Sequence, residues 1–142
     1  MNRNNYPKHP SRIGNESIVY EYFRLIKNKD IDGVLNLFAN DAIIYEPFSN
    51  IDEGLKGKGS IRPFLDVVIM ATDGMKDEIE FEYEKAQGAN KEEDETVAAL
   101  VTFERGGKTQ ARYRFELISR QEQYDYTDGG KKIQTLRIEF IK

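Results

Sequence analysis

The sequence has no cysteine and a single histidine among its 142 residues. Without cysteine there is no disulfide framework, no thiolate nucleophile and no cysteine-bound zinc. The one histidine, His9, lies in a polar segment punctuated by prolines, so we expect no Ser-His, Cys-His or histidine–metal site inside the folded body. Any chemistry must therefore come from carboxylates, tyrosines, lysines and arginines.

The sequence also lacks an excess of positive charge and long runs of apolar residues. The net charge is −4 and the pI is about 5.2, so nucleic acid is not an expected partner. No apolar run reaches the roughly 20 residues of a membrane span, and the first residues lack the apolar centre of a secretory signal. Acidic side chains cluster only as consecutive residues of one run, 92–95. We therefore expect a cytoplasmic protein with no membrane partner, no metal and no cofactor.

What the chain does contain is the pattern of one α+β domain over residues 15–142, after a polar segment, 1–14, that is predicted to be a flexible tail. Apolar residues at helical spacing predict three helices, and a short strand follows the second helix. Asp30 and Ser60 are the expected N-caps of the second and third helices. The predicted elements begin with a helix over 16–28, a helix from residue 30 to about 40, a strand over 42–45 and a helix over about 60–71.

The second half of the chain changes to the alternating pattern of β-strands. Four long antiparallel strands are predicted, over about 79–84, 96–104, 109–120 and 132–141, and they should form one sheet packed on the helices. The strand over 96–104 carries apolar residues on both faces, so its outer face is expected to be covered by a second copy of the chain. This pattern predicts a homodimer through the sheet face.

Three segments resemble the nuclear transport factor 2-like or SnoaL-like superfamily, which includes ketosteroid isomerase. Residues Lys29 to Pro47 look like its helix-to-strand segment, and Gly57 to Phe64 match its pattern of glycine, isoleucine and aromatic residue. The segment 130–137 is similar to its last hairpin. The resemblance implies a cystatin-like cone, in which three N-terminal helices pack on a curved, mostly antiparallel sheet that encloses a pocket. Because this fold hosts isomerases, cyclases, hydrolases and binding modules, it does not fix the chemistry.

The resemblance also implies two catalytic candidates. Glu46 falls where isomerase-like members carry the carboxylate that moves a proton, and Tyr22 falls where they place the tyrosine that donates to the reacting carbonyl oxygen. Read from the residues alone, each has a structural alternative: Glu46 as a hydrogen-bonded residue at a strand end, and Tyr22 as a core residue of its helix. The second acidic donor of those isomerases has no counterpart, because Phe115 or Tyr113 occupies its position.

The expected function is binding of a small apolar or carbonyl-containing ligand, with proton transfer next to the carbonyl if the domain is an enzyme. The alternative is a non-catalytic ligand-binding or dimeric interaction module of the same fold. Arg112 and Arg114 resemble part of the site of limonene epoxide hydrolases but lack its aspartate, and they are predicted to lie on the solvated or dimer-facing side of the sheet. The expected pocket residues are apolar and face inward: Phe23, Phe38, Ile44, Phe64, Val68, Phe81, Tyr83, Tyr113, Phe115, Leu136 and Ile138.

Overall fold

The structure is a computed structural model that describes residues 10–82, 96–119 and 131–141. Over these ranges three helices pack on one sheet: α1 (Pro10–Lys27), α2 (Ile31–Asn36) and α3 (Lys58–Thr72). The strands are β1 (Phe38–Tyr45), β2 (Leu55–Lys56), β3 (Lys76–Glu82), β4 (Thr96–Glu104), β5 (Lys108–Ser119) and β6 (Lys131–Ile141). This layout confirms the predicted α+β class and the three helices.

The strands form one sheet in the order β2-β1-β6-β5-β4-β3. Every neighbouring pair is antiparallel except β1 and β6, which run parallel. The last strand therefore lies between the first half of the chain and the antiparallel strands of the second half. The register aligns one row of apolar residues across the sheet, on the inner face that points toward the helices: Val97, Phe115, Leu136 and Ile44.

Two boundaries of the first elements differ from the prediction. α1 begins at Pro10, so residues 10–14 of the expected tail are helical, while residues 1–9 lie outside the described part of the chain. α2 ends at Asn36, and Phe38, predicted on the apolar stripe of that helix, begins β1 instead. The helix ends early because the carbonyl of Leu37 accepts a 2.7 Å hydrogen bond from the amide of Ile133 in β6, which draws the chain into the sheet.

The start of α3 also differs, because Gly57 rather than Ser60 is its N-cap. Gly57 has a φ of 84°, and its carbonyl accepts hydrogen bonds from the amides of Ser60 and Ile61 at 3.1 and 3.0 Å. Since glycine adopts the left-handed region readily, the helix starts there without a capping side chain. Asp30, in contrast, caps α2 as predicted and accepts a 2.9 Å hydrogen bond from the amide of Gly33.

The core lies between the helices and the inner face of the sheet. On β5 the inward residues alternate along the strand, as the period of two predicts: Ala111, Tyr113, Phe115 and Leu117 are all buried. The largest fully buried side chains come from helices and strands alike and include Tyr22, Phe38, Phe115, Ile44, Ile61, Leu65, Ile133 and Leu136. The strands of the first and second halves of the chain thus share one core.

The outer face of the sheet carries an ionic network centred on β5. Arg112 donates hydrogen bonds to Glu82 of β3 at 2.8 and 3.2 Å and to Glu139 of β6 at 3.5 Å. The two apolar residues of β4 on this face, Ala98 and Leu100, lie beside the charged side chains, and Leu100 is directly opposite Arg112 in register. The placement of Arg112 on the outer face agrees with the sequence pattern. Packing of a second copy against this face stays a prediction.

Gly54 marks a close backbone approach that tests this fold. Its φ is 83°, and a Cβ at this position would lie 2.7 Å from Cγ2 of Ile43 on β1. We expect Gly54→Ala to lower the free energy of unfolding by about 1–3 kcal/mol, measured by urea denaturation. Gly59→Ala is the matched control, because a Cβ there meets nothing within 4 Å, and it should be neutral or stabilising. Equal stabilities of the two variants would contradict the described loop.

Candidate functional site

Tyr22 lies at the centre of a group of aromatic rings between α1 and the inner face of the sheet. Its ring meets Phe23 edge-on at 4.9 Å and Phe115 at 5.7 Å between centroids, and it lies 6.4 Å from both Phe38 and Tyr113. These separations are those at which aromatic pairs attract one another. Tyr22 is 1% exposed, so these five residues, here called the aromatic cluster, enclose its side chain.

The hydroxyl of Tyr22 is buried and has no hydrogen-bond partner among the residues that the structure describes. Burial raises the pKa of this phenol well above its ordinary value, and the neighbouring Tyr113 adds to the rise. The group is therefore a protonated, neutral donor. A buried donor without an acceptor costs about 1–3 kcal/mol, and such groups in native proteins call for a functional or structural explanation.

Asp77 adds a charged group to this side of the sheet. Burial raises the pKa of Tyr113, and the carboxylate of Asp77 adds to the rise, because a nearby negative charge disfavours the phenolate. The Asp77 side chain is 16% exposed and pairs with Lys27 of α1 at 3.4 Å. Asp77 was not among the predicted site residues, although it has the same parity on β3 as the inward residues Ile79 and Phe81.

Glu46, the predicted catalytic carboxylate, directly follows β1 and is held by the next loop. Its carboxylate accepts hydrogen bonds from the amides of Phe48 and Ser49 at 2.7 and 3.2 Å and from the hydroxyl of Ser49. These contacts match the structural alternative that the residues allowed, a strand-end carboxylate satisfied by nearby donors. The Tyr22 hydroxyl donates no hydrogen bond to it, so the pairing of Glu46 and Tyr22 as base and donor stays a prediction.

Most of the residues predicted to line a pocket lie in the core. Tyr83 lies outside the described residues. The others belong to the hydrophobic core or pack against it: Phe23, Phe38, Ile44, Phe64, Val68, Phe81, Tyr113, Phe115, Leu136 and Ile138. Their role as a ligand-binding wall stays a prediction.

The inner face approaches solvent at the end of β6. Along this strand the exposure of the inward residues rises from 0% at Ile133 and Leu136 to 8% at Ile138 and 42% at Phe140. At that end Phe140 meets Phe48 of the loop after β1, edge to face, with 5.4 Å between the ring centroids. These two rings therefore lie at the exposed end of the inner face.

A separate groove of about 300 Å³ lies where α1 and α3 end. It has an apolar floor that includes Ile26 and Ile69, and Lys29 and Asp73, which pair at 3.5 Å, belong to its wall. Neither Tyr22 nor Glu46 lines it. The groove is therefore distinct from the residues that the sequence singled out.

The described ranges contain neither a metal-binding cluster nor a membrane-spanning helix. No group of three or more His, Cys, Asp and Glu residues in those ranges is placed so that it could hold a metal ion. Among the same residues, no helix combines the length and the apolar character that crossing a membrane requires.

Comparison with known proteins decides the fold. No protein-family model matches the chain, and no curated protein matches it. An NTF2-like protein of unknown function from Pseudomonas putida KT2440 is similar with a TM-score of 0.66 at 12% identity, over 91% of this chain and 85% of that chain. A ketosteroid isomerase-like protein from Erwinia carotovora atroseptica is similar with a TM-score of 0.66 at 13% identity, over 93% and 97%. The chain has the nuclear transport factor 2-like fold.

A third structural neighbour carries a named activity. The epoxide hydrolase/cyclase-like enzyme SalBIII, which has a role in pyran ring formation in polyether salinomycin, is similar with a TM-score of 0.60 at 21% identity, over 89% of this chain and 90% of that chain. At such identities the neighbours establish the NTF2-like fold and leave the chemistry open. The resemblance read from the sequence is thus confirmed for the fold.

The raised pKa values of Tyr22 and Tyr113 predict a loss of stability at high pH. Above pH of about 10 the unfolded chain releases phenolic protons that the folded protein keeps, so stability falls by up to about 1.4 kcal/mol per pH unit for each tyrosine. Urea denaturation between about pH 9 and pH 11 measures this slope. Tyr22→Phe should make the fall shallower, and identical slopes in wild type and variant would contradict burial of the phenol.

Proposed function

We propose that the domain binds a small apolar molecule against the inner face of its sheet, and that Tyr22 donates a hydrogen bond to an oxygen of that molecule. The observation that carries the proposal is the buried Tyr22 hydroxyl, which has no partner among the described residues. Its surroundings support an apolar ligand, because Phe23, Phe38 and Phe115 offer ring faces and edges and no polar atoms.

The charges near the aromatic cluster narrow the class of ligand. Tyr22 is a neutral donor over the physiological pH range because its pKa is raised, so it pairs with an acceptor atom. Lys27, a cation at the end of α1, already pairs with Asp77 at 3.4 Å, and an anionic ligand would compete with that carboxylate. The ligand that fits best is a neutral molecule with a carbonyl or ether oxygen.

Two structural neighbours agree with this class of ligand. SalBIII is described as an epoxide hydrolase/cyclase-like enzyme with a role in pyran ring formation, and the Erwinia protein as ketosteroid isomerase-like. Both names concern small oxygen-containing organic molecules. They support a small-molecule function for the present chain as a class and do not specify its ligand.

Glu46 is the proposed base if the bound molecule reacts. It directly follows β1, on which Ala42 and Ile44 are both 0% exposed. The loop donors already hold the carboxylate in one position, which favours proton transfer to or from a bound carbon acid. Glu46→Gln would then abolish turnover and leave ligand binding intact, and retained turnover would rule out this role.

A pair of fluorescent probes tests the binding proposal. The first is 6-propionyl-2-(dimethylamino)naphthalene, a neutral apolar ketone, and the second is 2-(dimethylamino)naphthalene, which lacks the carbonyl oxygen. We expect Tyr22→Phe to weaken binding of the ketone by about 10-fold, the effect of losing one neutral hydrogen bond, and to leave the second probe unaffected. Fluorescence titration measures both dissociation constants.

The control variant for this test is Tyr20→Phe, which removes a hydroxyl from a residue that is 53% exposed on the same helix. It should bind both probes as the wild type does. An equal loss of affinity for the two probes in Tyr22→Phe would contradict a hydrogen bond to the ketone oxygen. Absence of any binding to either probe would contradict the proposed ligand class.

A further inference from the structure

We propose that Phe48 and Phe140 form the outer wall of this ligand site, and that Glu46 is the positioning residue that holds Phe48 in the wall. The inference rests on the proposed function and names the residues that would contact the solvent-facing part of the ligand. Phe48 belongs to no helix or strand, and the sequence pattern gave it no role.

The two rings lie where the inner face reaches solvent. Phe140 is the last inward residue of β6, opposite the buried Ala111 of β5, and it is 42% exposed. Phe48 is 61% exposed and packs edge to face on Phe140, with 5.4 Å between the centroids. Two large rings that meet at the open end of an apolar face form a continuous surface, and a ligand lying between that surface and the core would bury both rings.

Glu46 determines where Phe48 lies. One carboxylate oxygen, Oε1, accepts the amide hydrogen bonds of Phe48 and Ser49 at 2.7 and 3.2 Å, and the other, Oε2, accepts the hydroxyl of Ser49. Asn50, the next residue, has a φ of 59°, so the chain turns sharply after the bonded segment. The loop is fixed again at Gly54, whose backbone packs closely against β1. Phe48 is therefore carried by a loop that is anchored at both ends.

Glu46, which anchors the loop, lies next to the proposed ligand site. β1 pairs with β6 up to Tyr45, which is opposite Arg137, so Glu46 follows in register next to Ile138. Ile138 is in turn opposite Tyr113, a member of the aromatic cluster. The loop thus leaves the sheet at β1, and β6 alone separates β1 from Tyr113 on β5.

Two variants of Glu46 distinguish its effect on the position of Phe48 from the effect of its negative charge on ligand binding. Glu46→Ala removes the acceptor of all three hydrogen bonds, whereas Glu46→Gln keeps an amide oxygen for the two backbone donors and an amide group that can bond the Ser49 hydroxyl. We expect Phe48→Ala and Glu46→Ala each to weaken binding of both naphthalene probes by about 5- to 10-fold and to speed their dissociation. Glu46→Gln should stay within about twofold of wild type.

The double variant tests whether Glu46 acts through Phe48. If it does, Glu46→Ala combined with Phe48→Ala binds no more weakly than Phe48→Ala alone, because the positioned ring is already absent. A fully additive loss would overturn the inference, since Glu46 would then affect binding by another route. Val67→Ala is the matched control, because Val67 is an apolar residue 60% exposed on α3, and it should bind the probes normally.

The outcomes distinguish this inference from the function on which it rests. Binding of neither probe by the wild type would refute the proposed function itself. A ketone-specific loss in Tyr22→Phe, together with normal binding in Phe48→Ala and Glu46→Ala, would leave that function standing and overturn the wall and its anchor. A loss in Glu46→Gln as large as that in Glu46→Ala would also overturn the positioning role, because charge and not loop geometry would then be required.

Discussion

Packing of α1 against the inner face of the sheet is the interaction on which the rest of the structure depends. The helix places Tyr22 and Phe23 against Phe115 and Tyr113 of β5, and burial of such apolar surface contributes roughly 25 cal/mol per Å². The same packing takes the Tyr22 hydroxyl out of water, into surroundings made largely of aromatic carbon. Stabilisation of the fold and the presence of an unpartnered donor therefore have one cause.

Patterns within one element were enough to predict much of this fold. The predicted bounds of β4 match the structure, the inward series of β5 follows from alternation, and Asp30 caps α2 as its side chain suggests. The incorrect predictions concern residues whose secondary structure is determined by contacts with distant segments of the chain. Phe38 joins the sheet because the Ile133 amide of β6 bonds to the preceding residue, and no local pattern of α2 contains that contact. The parallel pairing of β1 with β6 escaped prediction for the same reason.

In the candidate site, too, the positions of residues within one element could be predicted from the sequence, whereas their contacts with distant segments could not. The position of Tyr22 on the inward stripe of its helix was readable from the sequence. The lack of a hydrogen-bond partner among the described residues depends on which side chains the sheet brings to it. For Glu46 the sequence left a catalytic and a structural role open. The turn that joins it to Ser49 shows the contacts that the structural role requires, and the catalytic role stays a prediction. The NTF2-like fold thus accounts for the burial of Tyr22 between α1 and the sheet. The hydrogen bonds of Glu46 depend on the sequence of the loop after β1.

The measurement that tests the central claim most directly is the NMR shift of the Tyr22 ring carbon that bears the hydroxyl, in protein labelled at that carbon of every tyrosine. Tyr22→Phe assigns the signal, and the naphthyl ketone is then added. A hydrogen bond to the ketone oxygen predicts a shift of the Tyr22 signal, with a smaller one at Tyr113, and no change at the exposed Tyr20. A shift at Tyr20 with none at Tyr22 would contradict the account, because the ketone would then bind outside the aromatic cluster.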